Sequence, residues 1–391
     1  MRGIAAGAAA ALAVAGLPVF FGTPPASAAA CANPTDPYTG AVSWGQRLID
    51  PPKLWPLSRG DGQTVAVIAT GVDKQNPQFG PGQLLGGAGT ADSDCDGRGT
   101  VAAGIVGAQP QNETTFTGVA PGVKILPLRY TESNGSSSEG GGDPGALAGA
   151  ITAAADRGAG VLLIAVPAGS DSPALTAAVD HARSRGAVVI SAAGATQQGA
   201  HSYPTASAGV LAVGSTNEAG AAVQSESGDY LGISAPGANL VSTSAGGGGA
   251  VAHRWPITDP SLAAAYVAGV AALVRSAHPE LTGDQVVNRL TLTASRPPSG
   301  GHDPKLGWGL VNAYAAVSSA LPANAPGPSA AAVRTALPAV APAVPDTRST
   351  ADVTAGMVAV GGVVVAIAAG IGVAAFRRGK RRNWKPSRFK A

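Results

Sequence analysis

Between positions 54 and 320 the apolar residues fall into two kinds of run. Short, nearly uninterrupted apolar stretches at 65–69, 124–128, 160–166, 187–191 and 210–213 read as strands buried on both faces. Longer Ala-rich stretches at 99–107, 144–156 and 173–184 read as helices. Short buried strands alternating with helices predict an α/β fold whose mostly parallel sheet is covered on both sides, a three-layer arrangement. Two Gly/Ser-rich segments, 132–143 and 244–249, interrupt the pattern and read as mobile loops. No internal repeat is evident.

Both ends of the chain break this pattern. Arg2, an Ala/Val/Leu run and Ala26-Ser27-Ala28 form the basic, apolar and small-residue parts of a secretory signal peptide over residues 1–28. An uncleaved anchor is the alternative; a lipoprotein at Cys31 fits less well, since Ala28-Ala29-Ala30 lacks the usual Leu. Residues 29–53 form an N-terminal extension before the domain at 54–321. Residues 322–353, rich in Pro and Ala without apolar periodicity, predict a semi-rigid stalk.

Residues 355–376 are apolar and uncharged, and as a helix they would span roughly 33 Å, enough for a bilayer core. The tail at 377–391 carries eight Lys or Arg and no acid, which places it in the cytoplasm and the large domain outside a cell membrane crossed once. Beside a span, such a tail is a topology anchor rather than a nucleic-acid site.

The 391 residues include 55 glycines and only 13% charged residues, with 45% hydrophobic, which favours tight turns and small-residue packing over disorder. Without Arg2 and the eight tail cations the formal charge of +3 becomes about −6, so the exported part has no basic excess to attract nucleic acid. Its two cysteines, Cys31 and Cys95, are free to pair in an oxidising compartment, tying the extension to the loop around Arg98. Neither has a second ligand at zinc-like spacing; no metal and no small-molecule cofactor is expected.

Candidate chemistry comes from three stretches: Val65-Ala66-Val67-Ile68-Ala69-Thr70-Gly71-Val72, Asp94-Cys95-Asp96-Gly97-Arg98-Gly99-Thr100 and Ser261-Leu262-Ala263-Ala264-Ala265-Tyr266-Val267-Ala268-Gly269. With Phe116-Thr117-Gly118-Val119-Ala120-Pro121 and Asp303-Pro304-Lys305-Leu306-Gly307-Trp308-Gly309 they resemble, in order and spacing, the subtilisin-like serine proteases (subtilases, peptidase S8) over residues 39–321. The layout of signal peptide, Cys-containing extension, domain, stalk, span and basic tail is most similar to the mycosins, the membrane proteases of actinobacterial type VII secretion systems. The resemblance implies a subtilisin-like fold and, as partners, the membrane components of such a system.

The same resemblance sets the catalytic Asp position at Ala69, the His position at Arg98, the nucleophile at Ser261 and the oxyanion Asn position at Ala195. A serine hydrolase needs an acceptor for the Ser proton and a carboxylate to orient it. Alanine has no carboxylate, and a guanidinium has no acceptor. Loss of an oxyanion donor costs about 2.7–4 kcal/mol of transition-state stabilisation, and in subtilisin loss of the triad costs about 10⁶ in turnover. Asp259-Pro260 before Ser261 is helix-start chemistry, making Ser261 a first-turn residue. Pro167, following the buried run at 161–166, removes an N–H that peptide pairing would use. For Arg98 two readings stand: a structural salt bridge with Asp94, Asp96 or Asp73, or an ordinary exposed arginine.

The leading expectation is therefore a catalytically inactive mycosin-like pseudoprotease, a structural or regulatory partner of a type VII secretion system. The competing readings are a serine endopeptidase rearranged around Ser261, with His253 and Asp73 as the nearest replacement groups in sequence, and a cell-surface peptide-binding module.

Overall fold

The computed structural model describes residues 31–86, 89–132, 142–194, 200–328 and 377–378. The chain divides into two units, Met1–Thr335 and Ala336–Ala391, and of the second only Arg377 and Arg378 are described, both exposed. The signal peptide expected at 1–28 and the span expected at 355–376 lie outside the described residues, as do Ala195 and residues 133–141.

Two short helices, α1 (Trp44–Ile49) and α2 (Pro51–Leu54), lead from the extension into the domain. The main sheet takes β1 (Thr64–Ala69), α3 (Arg98–Gly107), β2 (Lys124–Arg129), α4 (Pro144–Asp156), β3 (Val161–Ile164), α5 (Pro173–Ser184), β4 (Val188–Ala192), β5 (Leu211–Thr216) and β6 (Leu231–Pro236) in chain order. Its six strands run β2-β1-β3-β4-β5-β6, every neighbouring pair parallel. An antiparallel pair follows, β7 (Leu240–Thr243) with β8 (His253–Ile257), and then α6 (Pro260–Ala277), α7 (Gly283–Thr293) and α8 (Ala313–Ser318).

Alternation along each strand sorts the core into two layers. Val65, Val67 and Ala69 of β1, with Val161 and Leu163 of β3, join the side chains of α3 and α6. Ala66 and Ile68, with Leu162 and Ile164, join those of α4 and α5. Burial on both faces is what a parallel sheet under helices requires. The expected three-layer α/β fold is the observed one.

Some boundaries moved. The strand expected at 160–166 ends at Ile164, because the next positions turn away: Pro167 has no N–H to give, and Ala168 pairs with Tyr203 instead. The loop at 244–249 is held rather than loose, with Ser244 N–H on the Ala252 carbonyl and Gly246 N–H on Asp73.

α6 is the buried axis of the domain. Among the described residues it alone is long and apolar enough to cross a membrane, yet 83% of it is buried within the domain, so it is a core helix. Close approach at the start of α3 depends on glycine: a Cβ on Gly99 would meet the Gly71 carbonyl oxygen at 1.8 Å.

Candidate functional site

The connection from β1 to β2 leaves one face of the sheet and that from β3 to β4 the other, so the strand order reverses between β1 and β3. In open α/β sheets, ligands bind in the crevice beyond the strand ends at such a point. Ala69 ends β1 there, Arg98 begins α3, and Ser261 lies in the first turn of α6. The fold thus brings together three of the four sequence-predicted site residues.

A buried carboxylate organises the loop before α3. Asp94 accepts from the Thr70 hydroxyl (2.8 Å), Gly97 N–H (2.8 Å), and both the N–H (2.8 Å) and hydroxyl (2.7 Å) of Thr100. Its negative charge at the N-terminus of α3 meets the unpaired amides of the first turn. The Thr70 hydroxyl also accepts from Gly99 N–H at 3.1 Å, locking the end of β1 against α3. The disulfide Cys31–Cys95 ties the extension to the same loop, reinforced by Ala32 N–H on the Cys95 carbonyl.

Arg98 points into a pair of carboxylates. Its Nε lies 3.4 Å from Asp96 Oδ1 and 3.8 Å from Asp259 Oδ2, with the guanidinium side chain only 17% exposed. Of the three partners expected from sequence, Asp96 is found; Asp94 is committed to hydroxyl and amide donors, and Asp259 was missed. Burial raises the Asp96 carboxyl above its ordinary range, against the opposing pull of Arg98. Asp259 meanwhile caps α6, its Oδ1 accepting Ser261 N–H at 2.8 Å, as the Asp-Pro pair predicts.

Ser261 is buried, and among the described residues its Oγ has no hydrogen-bond partner. The groups nearest in sequence are engaged elsewhere. His253 is fully buried in β8; its Nδ1 accepts Tyr38 N–H at 3.0 Å and its ring packs edge-on against Phe116. Burial lowers its pKa to about 4, so the ring is neutral at physiological pH. Asp73 accepts from Gln75 N–H and Gly246 N–H.

One residue of the crevice carried no sequence signal beyond its place after a strand. Tyr130 follows β2, and its N–H donates to the Ala69 carbonyl at 3.2 Å. Its hydroxyl donates to the Val166 carbonyl beyond β3, so the side chain reaches across the end of β1. Burial pushes the phenol well above the ordinary tyrosine range, while Gly142 N–H and the Arg98 charge act the other way.

The Subtilase family profile matches residues 60–309. Mycosin-3 of Mycobacterium tuberculosis is 37% identical over 88% of this chain and 86% of its own length. The crystal structure of MycP1 from Mycobacterium smegmatis superposes with a TM-score of 0.63 at 30% identity, covering 77% of this chain and 91% of that one. A chain in the structure of an intact ESX-5 inner membrane complex does so with a TM-score of 0.63 at 27% identity, covering 88% and 94%. The chain belongs to the subtilase family, and within it to the mycosin-like proteins.

Proposed function

We infer that this chain is a catalytically inactive subtilase which serves a type VII secretion machine by binding. In this reading Ala69, Arg98 and Ser261 stand at the triad positions and Ala195 at the oxyanion position. The observation that carries it is Ser261: a buried hydroxyl with no hydrogen-bond partner among the described residues, beside an arginine set between two carboxylates. A serine attacks only when a neighbouring base can take its proton. A guanidinium held by Asp96 and Asp259 supplies a cation where a base is needed.

The secretion role is supported by likeness to a chain of the ESX-5 inner membrane complex and to mycosins along most of their length. The signal peptide, the span at 355–376 and the basic tail complete the reading: a single-pass protein with its domain outside the cell membrane and its tail in the cytoplasm. A serine-directed fluorophosphonate tests the catalytic half. It is expected to leave the full chain unlabelled, and labelling that disappears in Ser261→Ala would refute the reading. Co-purification of secretion-complex membrane subunits with the tagged full chain tests the other half; their absence would count against it.

A further inference from the structure

An extended peptide joins a sheet by hydrogen bonding to free main-chain groups along an exposed edge. Beyond β3 three of those groups are engaged internally and a fourth is missing. The Val166 carbonyl accepts from the Tyr130 hydroxyl. Pro167 has no N–H. Ala168 gives its N–H to the Tyr203 carbonyl and takes the Tyr203 N–H at its own, both at 2.8 Å.

Tyr130 lies over the end of β1, between the segments that follow β2 and β3. It packs against the core layers on both faces of the sheet, so its ring sits astride the sheet's end. Gly142 lies against that ring so closely that a Cβ would come within 2.7 Å of a ring carbon. Two strand spacings, about 10 Å, separate β2 from β3, and Tyr130 with Val166 closes that gap over β1.

We propose that the crevice at the ends of β2, β1 and β3 is self-occluded, with Tyr130 and residues 166–168 holding it shut against an extended peptide. The inference rests on the reading of this chain as a binding protein, and it moves the binding surface off the old groove. Opening the groove takes two changes: removal of the Tyr130 ring and restoration of an N–H at 167.

The test uses the full chain in detergent and a fluorescein-labelled hexapeptide, Ala-Ala-Pro-Phe-Ala-Ala, followed by anisotropy. The parent is expected to show no saturable binding, and the Tyr130→Gly/Pro167→Gly variant to bind at least about tenfold more tightly. Saturable binding by the parent, or no gain in a variant with a native near-UV spectrum, overturns the proposal. Should the variant not fold, native-state hydrogen exchange of the parent decides: slow exchange at Ala168 and Tyr203 supports the closed edge, and fast exchange refutes it. Mass spectrometry of the peptide separates the two readings, since cleavage would contradict catalytic inactivity and leave the closure to the binding result.

Discussion

Arg98 and Asp259 bring together the start of α3 and the start of α6, Nε lying 3.8 Å from Oδ2. The same carboxylate caps Ser261 N–H through its other oxygen. One aspartate thus serves as helix cap and as counter-ion, and Arg98 contributes an ion pair that joins the two helix starts.

Removing either partner leaves a half-buried charge. Arg98→Ala is expected to cost about 1–3 kcal/mol, between the ranges for exposed and buried pairs. Asp259→Ala loses the cap as well, about 1 kcal/mol of its own. A double-mutant cycle by urea unfolding checks this, with the double variant less destabilised than the sum of the singles.

Gly99 admits no side chain. Its missing Cβ would overlap the Gly71 carbonyl oxygen at 1.8 Å, so Gly99→Ala must push α3 away from β1. The expected loss is about 3 kcal/mol or more, in the range reserved for overpacked or strained sites, read as a lowered urea midpoint.

The disulfide Cys31–Cys95 closes a separation of 64 residues, for which the chain-entropy account gives about 4 kcal/mol. Reduction, or Cys31→Ala/Cys95→Ala, is expected to lower the thermal midpoint. The extension should become the first segment cut by added protease, since its covalent tie to the loop before α3 is gone.

His253 gives the domain an acid sensitivity of definite sign. Its folded pKa of about 4 lies below the unfolded value near 6.5, so the unfolded chain binds more protons between those limits and stability rises with pH there. The contribution is complete above about pH 6.5 and is lost as pH falls towards 4, roughly 3 kcal/mol in all. His253→Gln should flatten the midpoint-versus-pH curve across that window.

Much of this architecture was legible along the chain. α4 and α5 begin and end where their Ala-rich runs predict, and α6 starts at Asp259-Pro260 because cap and first-turn proline are local chemistry. Other parts depend on distant partners. β7 and β8 are short and pair mainly with one another, and β8 carries a buried His that reads as polar in sequence. α7 did carry a signal, Thr282 with Gln285 in a capping box, but its polar surface gave no apolar run to follow.

At the site, the cluster of Ala69, Arg98 and Ser261 was accessible through motif order. The pairing of Arg98 with Asp259 was not, since 161 positions separate them and only the fold closes that distance. Tyr130 was equally hidden: its hydroxyl contact with Val166 bridges β2, β1 and β3, neighbours in the sheet whose order there differs from their order along the chain.

The central claim is that no base serves Ser261. Its most direct test is cleavage of a peptide library by the purified full chain beside its Ser261→Ala variant, with products read by mass spectrometry. The account predicts no cleavage by either protein. Cleavage by the parent that disappears in the variant would contradict it.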